Sequence, residues 1–413
     1  MMSRRTIVKS IALILILGIA GAYWYYAERR SSPLEEVQRE VQKIVDPVLS
    51  PTLGDLAPAL ITVPEELRSG VFASPRSVTV PEGWGVKLFA TGLGKARFMA
   101  WDEGAKTLYV TVRDRGEVVA LPDADGDRAA DRAVVRARGL TNPNGIAVGD
   151  AGILVADTDH LVRLNETGTE VERLARLPYR GDHYTRTILI DPHDASLVYV
   201  SVGSTCNACQ DSPQHAAILT YRIGGERSEP RLYARGLRNS VGMTWRPGTD
   251  ELWATDNGRD WLGDDLPPDE VNIVRPGGDY GWPYCYGNRA PDPDYGSVDR
   301  CLETVPATIE LPAHSAALGL RFYEKRTESE AARALHGSLL IAYHGSWNRS
   351  VPTGYKVVRA VERGGRWEVS DFMTGFHDGK APWARPVDVL EGPAGELYVS
   401  DDLSGSIFVL TPP

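Results

Sequence analysis

The stretch NPNGIAVGDAGILVAD, residues 142–157, runs from an apolar segment through a Gly/Asp turn into a second apolar segment that ends on a polar residue. The same pattern returns as TRTILIDPHDASLVYVS at 185–201, and as ARFMAWDEGAKTLYVT at 96–111. It recurs as NSVGMTWRPGTDELWATD at 239–256, as LGLRFYEK with LHGSLLIAYH between 318 and 344, and as RPVDVLEGPAGELYVSD at 385–401. With Tyr109, Leu154, Tyr199, Trp253, Leu340 and Tyr398 as markers, the six copies lie 45, 45, 54, 87 and 58 residues apart. A strand-built unit of this length cannot bury its own faces, and repeats of it do so by stacking blade on blade around a channel. The pattern predicts an all-β, six-bladed propeller over residues 77–413.

Equivalent positions in the blades of a propeller face the same end of the channel. At the entrance to the first apolar segment, His183 and Arg186 in the third copy fall opposite Asn142 and Asn144 in the second. Arg238 and Asn239 hold that place in the fourth copy, His314 and Ser315 in the fifth, and Arg385 in the sixth. A polar, partly cationic ring is expected there. Alone, each of these residues reads equally as a turn cap or a surface ion pair; their common register makes a site.

Outside the propeller, a basic stretch with Arg4, Arg5 and Lys9 precedes the apolar run IALILILGIAGAYWYY at 11–26, the pattern of an export signal. AGA at 20–22 offers small residues for cleavage, whereas YWYY at 23–26 resembles the aromatic belt of a membrane helix. The expectation is a signal peptide or anchor over 1–30, with the protein periplasmic or otherwise extracytoplasmic and tethered to the inner membrane by that helix. Residues 31–76 read as a helical stalk or linker, with Leu34, Val37, Val41, Ile44 and Val45 on one helical face. Without residues 1–30, 40 basic side chains stand against 54 acidic ones, a formal charge of −14, which argues against nucleic acid as a partner.

In an exported chain, four cysteines favour disulfides. Three connectivities are possible, and the local one, Cys206 with Cys209 and Cys285 with Cys301, is expected. Gln210 follows Cys209 where a c-type haem motif has His; a redox-active CxxC is the remaining alternative. DADGDRAAD at 123–131 carries Asp123, Asp125, Asp127 and Asp131 at calcium-loop spacing, a pattern shared with solvated acidic turns.

The ordered motifs HYTRT (183–187), GLRNSVGM (236–243), DNGRD (256–260), GDYGWP (278–283) and RPVDV (385–389), with AYHGSWNRS before the last of them, give the chain a specific likeness. From about residue 80 to the C-terminus it resembles the glucose/sorbosone dehydrogenase family, six-bladed propellers that use pyrroloquinoline quinone (PQQ), and is nearest the sorbosone-dehydrogenase-like branch. The resemblance implies oxidation of an aldose or related sugar at C1, with His183 as general base and hydride transfer to the quinone. It implies Arg238 beside the quinone oxygen where charge develops. It also implies cofactor contacts from Arg186, Arg238, Asn239, Asn257, Ser315, Asn348 and Arg385. A Ca²⁺ touching the quinone would take the carbonyls of Gly258 and Arg259, and a second, structural Ca²⁺ would involve Glu270 and Tyr280. Electrons would leave to an acceptor such as a quinone or cytochrome.

The chain departs from the family at three positions. Arg259 stands where the family has proline, Val387 where a second arginine is common, and Asn348 with Arg349 where the glucose-oxidising branch has a lysine. Two other readings belong beside this one. A calcium-dependent propeller lactonase would use acidic strand ends, for which Asp157, Asp256 and Asp401 are the candidates. A non-catalytic envelope-binding propeller would need no base at all.

Overall fold

The computed structural model describes residues 53–165, 171–179, 181–224, 229–325 and 329–413. Its compact body, Leu53–Val361 with Val369–Pro413, is a six-bladed propeller of antiparallel sheets. The first blade consists of strands Ala96–Asp102, Thr107–Val112, Glu117–Pro122 and Val134–Ala137, and the second runs from Gly145–Gly149 to Val171–Arg176. Blades three, four and five begin at Ile188–Ile190, Met243–Trp245 and Ala317–Phe322. Every repeat marker lies in the second strand of its blade.

The sixth blade closes the ring. Pro386–Glu391, Leu397–Asp401 and Ser406–Thr411 come from the C-terminus, and Gly85–Ala90 pairs antiparallel with the last of these. Leu56–Thr62 extends the same sheet, parallel to Gly85–Ala90 and antiparallel to Ser77–Pro81. Joining Gly85–Ala90 to the C-terminal strands in one sheet makes opening the ring cost a whole set of ladder bonds.

Here the domain boundary moves. Residues 53–76, expected in a helical stalk, belong to the propeller, with Ile61 and Phe72 buried against the closing blade. The partners of Leu56–Thr62 are contributed by the closing sheet, so its own periodicity did not announce it. The N-terminal apolar run and the stalk helix lie outside the described residues. No helix among the described residues is long and apolar enough to cross a membrane.

Near the axis, polar side chains fasten five of the six blade seams. Thr111 donates to the Asn144 carbonyl (2.7 Å), Asn144 Nδ2 to Thr187 Oγ1 (3.0 Å) and Thr187 to the Val241 carbonyl. Thr255 donates to the Leu318 carbonyl (2.9 Å), and Asp388 accepts from the Met99 amide (3.0 Å), returning the set to the first blade. Gly145 and Gly242 permit this closeness: a Cβ would lie 2.6 Å from the Ile188 nitrogen at one and 2.2 Å from the Leu318 oxygen at the other. The long fourth interval holds the excursion after Asp269–Val274, closed by Cys285–Cys301 around a short helix, Val298–Leu302. Both disulfides take the local pairing.

Candidate active site

Innermost strands begin, and second strands end, around a cavity of about 470 Å³. Five blades or their entry loops line it: Lys95, Arg97 and Arg113 from the first, His183 from the third, Asn239 from the fourth, His344 and Trp347 from the fifth, Arg385 and Asp402 from the sixth. His183 and Arg385 stand where the repeat register placed them.

The His183 ring is held by its Nδ1, which lies 2.9 Å from both the carbonyl oxygen and the hydroxyl of Ser204. A carbonyl only accepts, so Nδ1 carries the proton and Nε2 keeps its lone pair. Gly203 makes room for the ring, since a Cβ there would lie 2.5 Å from His183 Cβ and 2.9 Å from Asn239 Oδ1. Burial first, and then the charge of Arg238, push the imidazole down to about 3, so it is neutral over the physiological range.

The second imidazole is committed. His344 Nε2 lies 2.7 Å from Asp402 Oδ1, and Arg97 reaches Asp402 Oδ2 at 2.8 Å. Burial disfavours a charge on either partner, but His344 and the Arg97 guanidinium together hold the Asp402 carboxyl well below its usual range. Burial also holds His344 below its ordinary value against the pull of Asp402. The group therefore carries one carboxylate matched by Arg97, with a neutral His344 donating to it.

Three cations on the cavity wall form no ion pair, although Asp182 shares that wall and Asp401 and Asp402 act on Arg385 through their charge. Lys95, Arg113 and Arg385 have no carboxylate partner among the described residues. Arg385 donates from Nε to the His344 carbonyl at 3.0 Å and from Nη2 to the Gly345 carbonyl, while Arg113 bonds the Tyr184 hydroxyl and lies over its ring. Asn239 adds a buried side-chain oxygen with no hydrogen-bond partner. In an acidic protein, an excess of cations with an orphaned polar atom beside them fits a multiply charged anion carrying a donor.

Several expected ligands serve other purposes. Arg186 is fully buried and donates to the carbonyls of His183, Thr185 and Pro178 at 2.6–2.9 Å. It clamps the loop that carries His183 and is absent from the cavity wall. Ser315 is turned onto the Pro312 carbonyl (2.6 Å), and Asn348 donates to Asp260 (2.7 Å). Arg238 gives Nε and Nη2 to Asn207, Nη1 to the Asn257 carbonyl and an ion pair to Asp260 at 3.4 Å. It reaches His183 through its charge. Asn257 in turn donates to the Ala317 carbonyl at 2.7 Å.

The carbonyls of Gly258 and Arg259 accept no hydrogen bond among the described residues, which leaves them open to a hard cation, but neither residue lines the cavity. The Arg259 side chain is not beside them, being bound to Asp292 at 2.9–3.0 Å and to Asp294 at 2.9 Å. Glu270 and Tyr280 are not brought together. Glu270 is spent on Asn272 and the Gly287 amide; the Tyr280 hydroxyl is spent on the Ile273 carbonyl and the Arg275 amide.

Lys95, Arg97, Arg113, His344 and Asp402 escaped the sequence reading. A usable signal existed for three of them: Arg113, His344 and Asp402 each follow the last residue of a second strand, the register of Asn257 in the fourth blade.

A family model described as TrAA12-like matches residues 78–413. The chain belongs to that family. An uncharacterized protein of Borreliella burgdorferi is 31% identical over 296 residues, covering 66% of this chain and 76% of its own length. A pyrroloquinoline quinone-dependent sugar dehydrogenase of Hypocrea jecorina is 25% identical over 399 residues, covering 80% and 88%. Among solved structures, the iodide structure of the Trichoderma reesei Carbohydrate-Active Enzymes Family AA12 protein shares the fold, with a TM-score of 0.70 at 22% identity over 81% of this chain and 98% of that one. The holo PQQ domain of the Coprinopsis cinerea pyranose dehydrogenase does so at 0.67, with 24% identity over 81% and 97%.

Proposed function

We propose that the protein is a PQQ-dependent sugar dehydrogenase that oxidises an aldose or related sugar aldehyde or hemiacetal at C1. The observation that carries this reading is the pairing, in one cavity, of a neutral imidazole whose Nε2 is unoccupied with three cations that have no carboxylate partner. Named dehydrogenases among the family's relatives support the same class. PQQ is a tricarboxylate that accepts a hydride when bound, and Lys95, Arg113 and Arg385 would hold its carboxylates. Calcium, ligated by the Gly258 and Arg259 carbonyls, would add Lewis-acid polarisation.

The chain's own part is binding and proton transfer. The Ser204 carbonyl fixes the tautomer, so His183 Nε2 takes the proton from the substrate hydroxyl. Burial, with the Arg238 charge second, keeps that ring unprotonated until the substrate proton arrives. Trp347 lines the cavity with 66% of its surface exposed and meets Trp261 edge-on at 5.3 Å, offering an aromatic wall to the apolar face of a sugar ring. The N-terminal apolar run would tether the enzyme outside the cytoplasm, where a quinone or cytochrome collects the electrons.

A lactonase is disfavoured by the use of its acids. Asp256 accepts from the Arg238 and Asn239 amides, Asp401 from the Arg385, Leu403 and Ser404 amides, and Asp157 from Thr141, Asp159 and His160. These carboxylates brace loops. The test is dye reduction by the purified chain with PQQ and calcium, on aldoses and sorbosone. PQQ-dependent turnover is expected; failure of PQQ to bind, or binding without turnover on any sugar, overturns the proposal.

A further inference from the structure

Asp123, Asp125 and Asp127 lie in the loop between the third and fourth strands of the first blade, and each brings a carboxylate oxygen within 4.8 Å of the others. Exposed acidic turns do this routinely, but Asp123 is not exposed. It retains 5% of its surface, and its Oδ1 is buried without any hydrogen-bond partner. A carboxylate taken out of water costs free energy unless something answers its charge. The cation at hand, Lys87, lies 3.2 Å from Asp127 Oδ2 and also donates to the Asp127 carbonyl, at the exposed side of the cluster. The amides of Arg128 and Gly126 turn toward the Asp123 carboxylate, but among the described residues no cation pairs with it.

We propose that this loop binds one Ca²⁺, separate from the candidate active site, through Asp123, Asp125 and Asp127, with Asp131 completing the set directly or through water. Counting Asp123 as position one of a calcium loop, the carboxylates fall at positions one, three, five and nine, the order in which such loops present oxygen ligands. The carbonyl at position seven, Ala129, accepts no hydrogen bond among the described residues. Arg128, at position six, has φ +65°, the left-handed turn that glycine usually supplies there. The other such group among the described residues, Asp157, Asp159 and His160, differs in its buried member. Asp157 already spends both oxygens on the amides of Thr141, Asp159 and His160.

The site has a structural task. The Ala130 amide bonds the Phe89 carbonyl at 2.9 Å, so the loop is tied to Gly85–Ala90, the strand by which the N-terminal segment closes the ring. Calcium here braces the seam between the first blade and the closing one.

The test uses the full chain after chelation. Calorimetric titration with CaCl₂ should show one equivalent fewer in Asp125→Asn than in the parent. The parent's Tm should rise by roughly 2–3 °C at tenfold excess over the dissociation constant, and the variant should lose this rise. Lys87→Met should keep the calcium equivalent, because the lysine is outside the ligand set. Asp123→Asn gives a second variant should Asp125→Asn fold poorly. A parent that takes up no more calcium than both variants, or whose Tm ignores calcium, overturns the site. So does Lys87→Met abolishing the uptake, since loss of a positive charge outside the ligand set can only favour a cation held by these carboxylates. PQQ binding and turnover are read separately, so loss of the redox reading leaves this result intact.

Discussion

Arg238 donates Nε to the Asn207 carbonyl and Nη2 to the Asn207 side-chain oxygen, both at 2.9 Å, and Asn207 is enclosed by the Cys206–Cys209 disulfide. The same ring of residues holds the imidazole. Ser204, which fixes His183 Nδ1, donates its hydroxyl to the Cys206 carbonyl at 2.6 Å. Asn207 also ties down Asp260, accepting its amide at 2.8 Å and donating to its carbonyl at 3.2 Å. A motif readable as a redox pair or a plain staple is thus the common anchor of the base and of the buried charge beside it.

Opening that anchor should damage catalysis more than stability. In Cys206→Ser/Cys209→Ser, turnover is expected to fall about ten- to a hundredfold, with a stability loss of about 2 kcal/mol for so small a ring. Cys285→Ser/Cys301→Ser opens a longer loop whose cysteines do not line the cavity and should show the reverse, a loss of about 3 kcal/mol of stability with turnover of the folded protein near the parent's. Denaturant melts and single-turnover PQQ reduction check both. Parent-like turnover without Cys206–Cys209 would show that Asn207 needs no disulfide to hold Arg238.

Gly203→Ala tests the position of the ring. The alanine methyl would stand 2.5 Å from His183 Cβ, so the imidazole must shift. The backbone there is open to any L-residue, and the expected result is a folded protein with turnover reduced about a hundredfold, the usual cost of misplacing a group by an ångström. An unchanged rate would mean that the ring is not held against Gly203 during the reaction.

His183→Asn should fold, bind PQQ nearly as well as the parent, and lose about two to four powers of ten in turnover. Protonation follows from the same site. The ring titrates at about 3 in the fold against 6.5 in the unfolded chain. Between those values the unfolded state binds more protons, so the His183 contribution to stability is full above about 6.5 and is lost as pH falls toward 3. Histidine NMR on the cofactor-free protein should find this ring neutral at pH 5. Adding an anionic ligand to the cavity should move its titration upward. A ring that titrates near 6.5 without ligand would contradict the buried, Arg238-flanked geometry.

The arginines should separate by role. Arg186→Met removes donors from three carbonyls in the His183 loop and is expected to cost about 2–4 kcal/mol of stability. Arg113→Met and Lys95→Met remove side chains from the cavity wall, so melting should stay near the parent's while PQQ affinity falls about tenfold or more each. Equilibrium PQQ titration beside thermal melts distinguishes the classes, and equal effects in all three would refute the division.

Much of this molecule is a property of its sequence taken alone. Six returns of one strand pattern determine six blades, because a unit that short buries its faces only against copies of itself. Register within the repeat places His183 and Arg385 at the cavity, since backbone position around a propeller axis follows from position in the blade. The local disulfides follow from the short separations between the paired cysteines. Tertiary structure decided where the long side chains go. Arg186 and Arg238 occupy the expected register, yet their guanidiniums turn to acceptors at Pro178, Asn207 and Asp260, outside the repeat pattern that placed them. Lys95 forms no ion pair among the described residues and Arg113 meets the Tyr184 hydroxyl on the cavity wall itself, so both face the cavity. The closing strand Leu56–Thr62 was hidden for a related reason: a strand whose partners come from elsewhere in the chain shows its own alternation but not its neighbours, and only the closed ring puts Ile61 beside Val86.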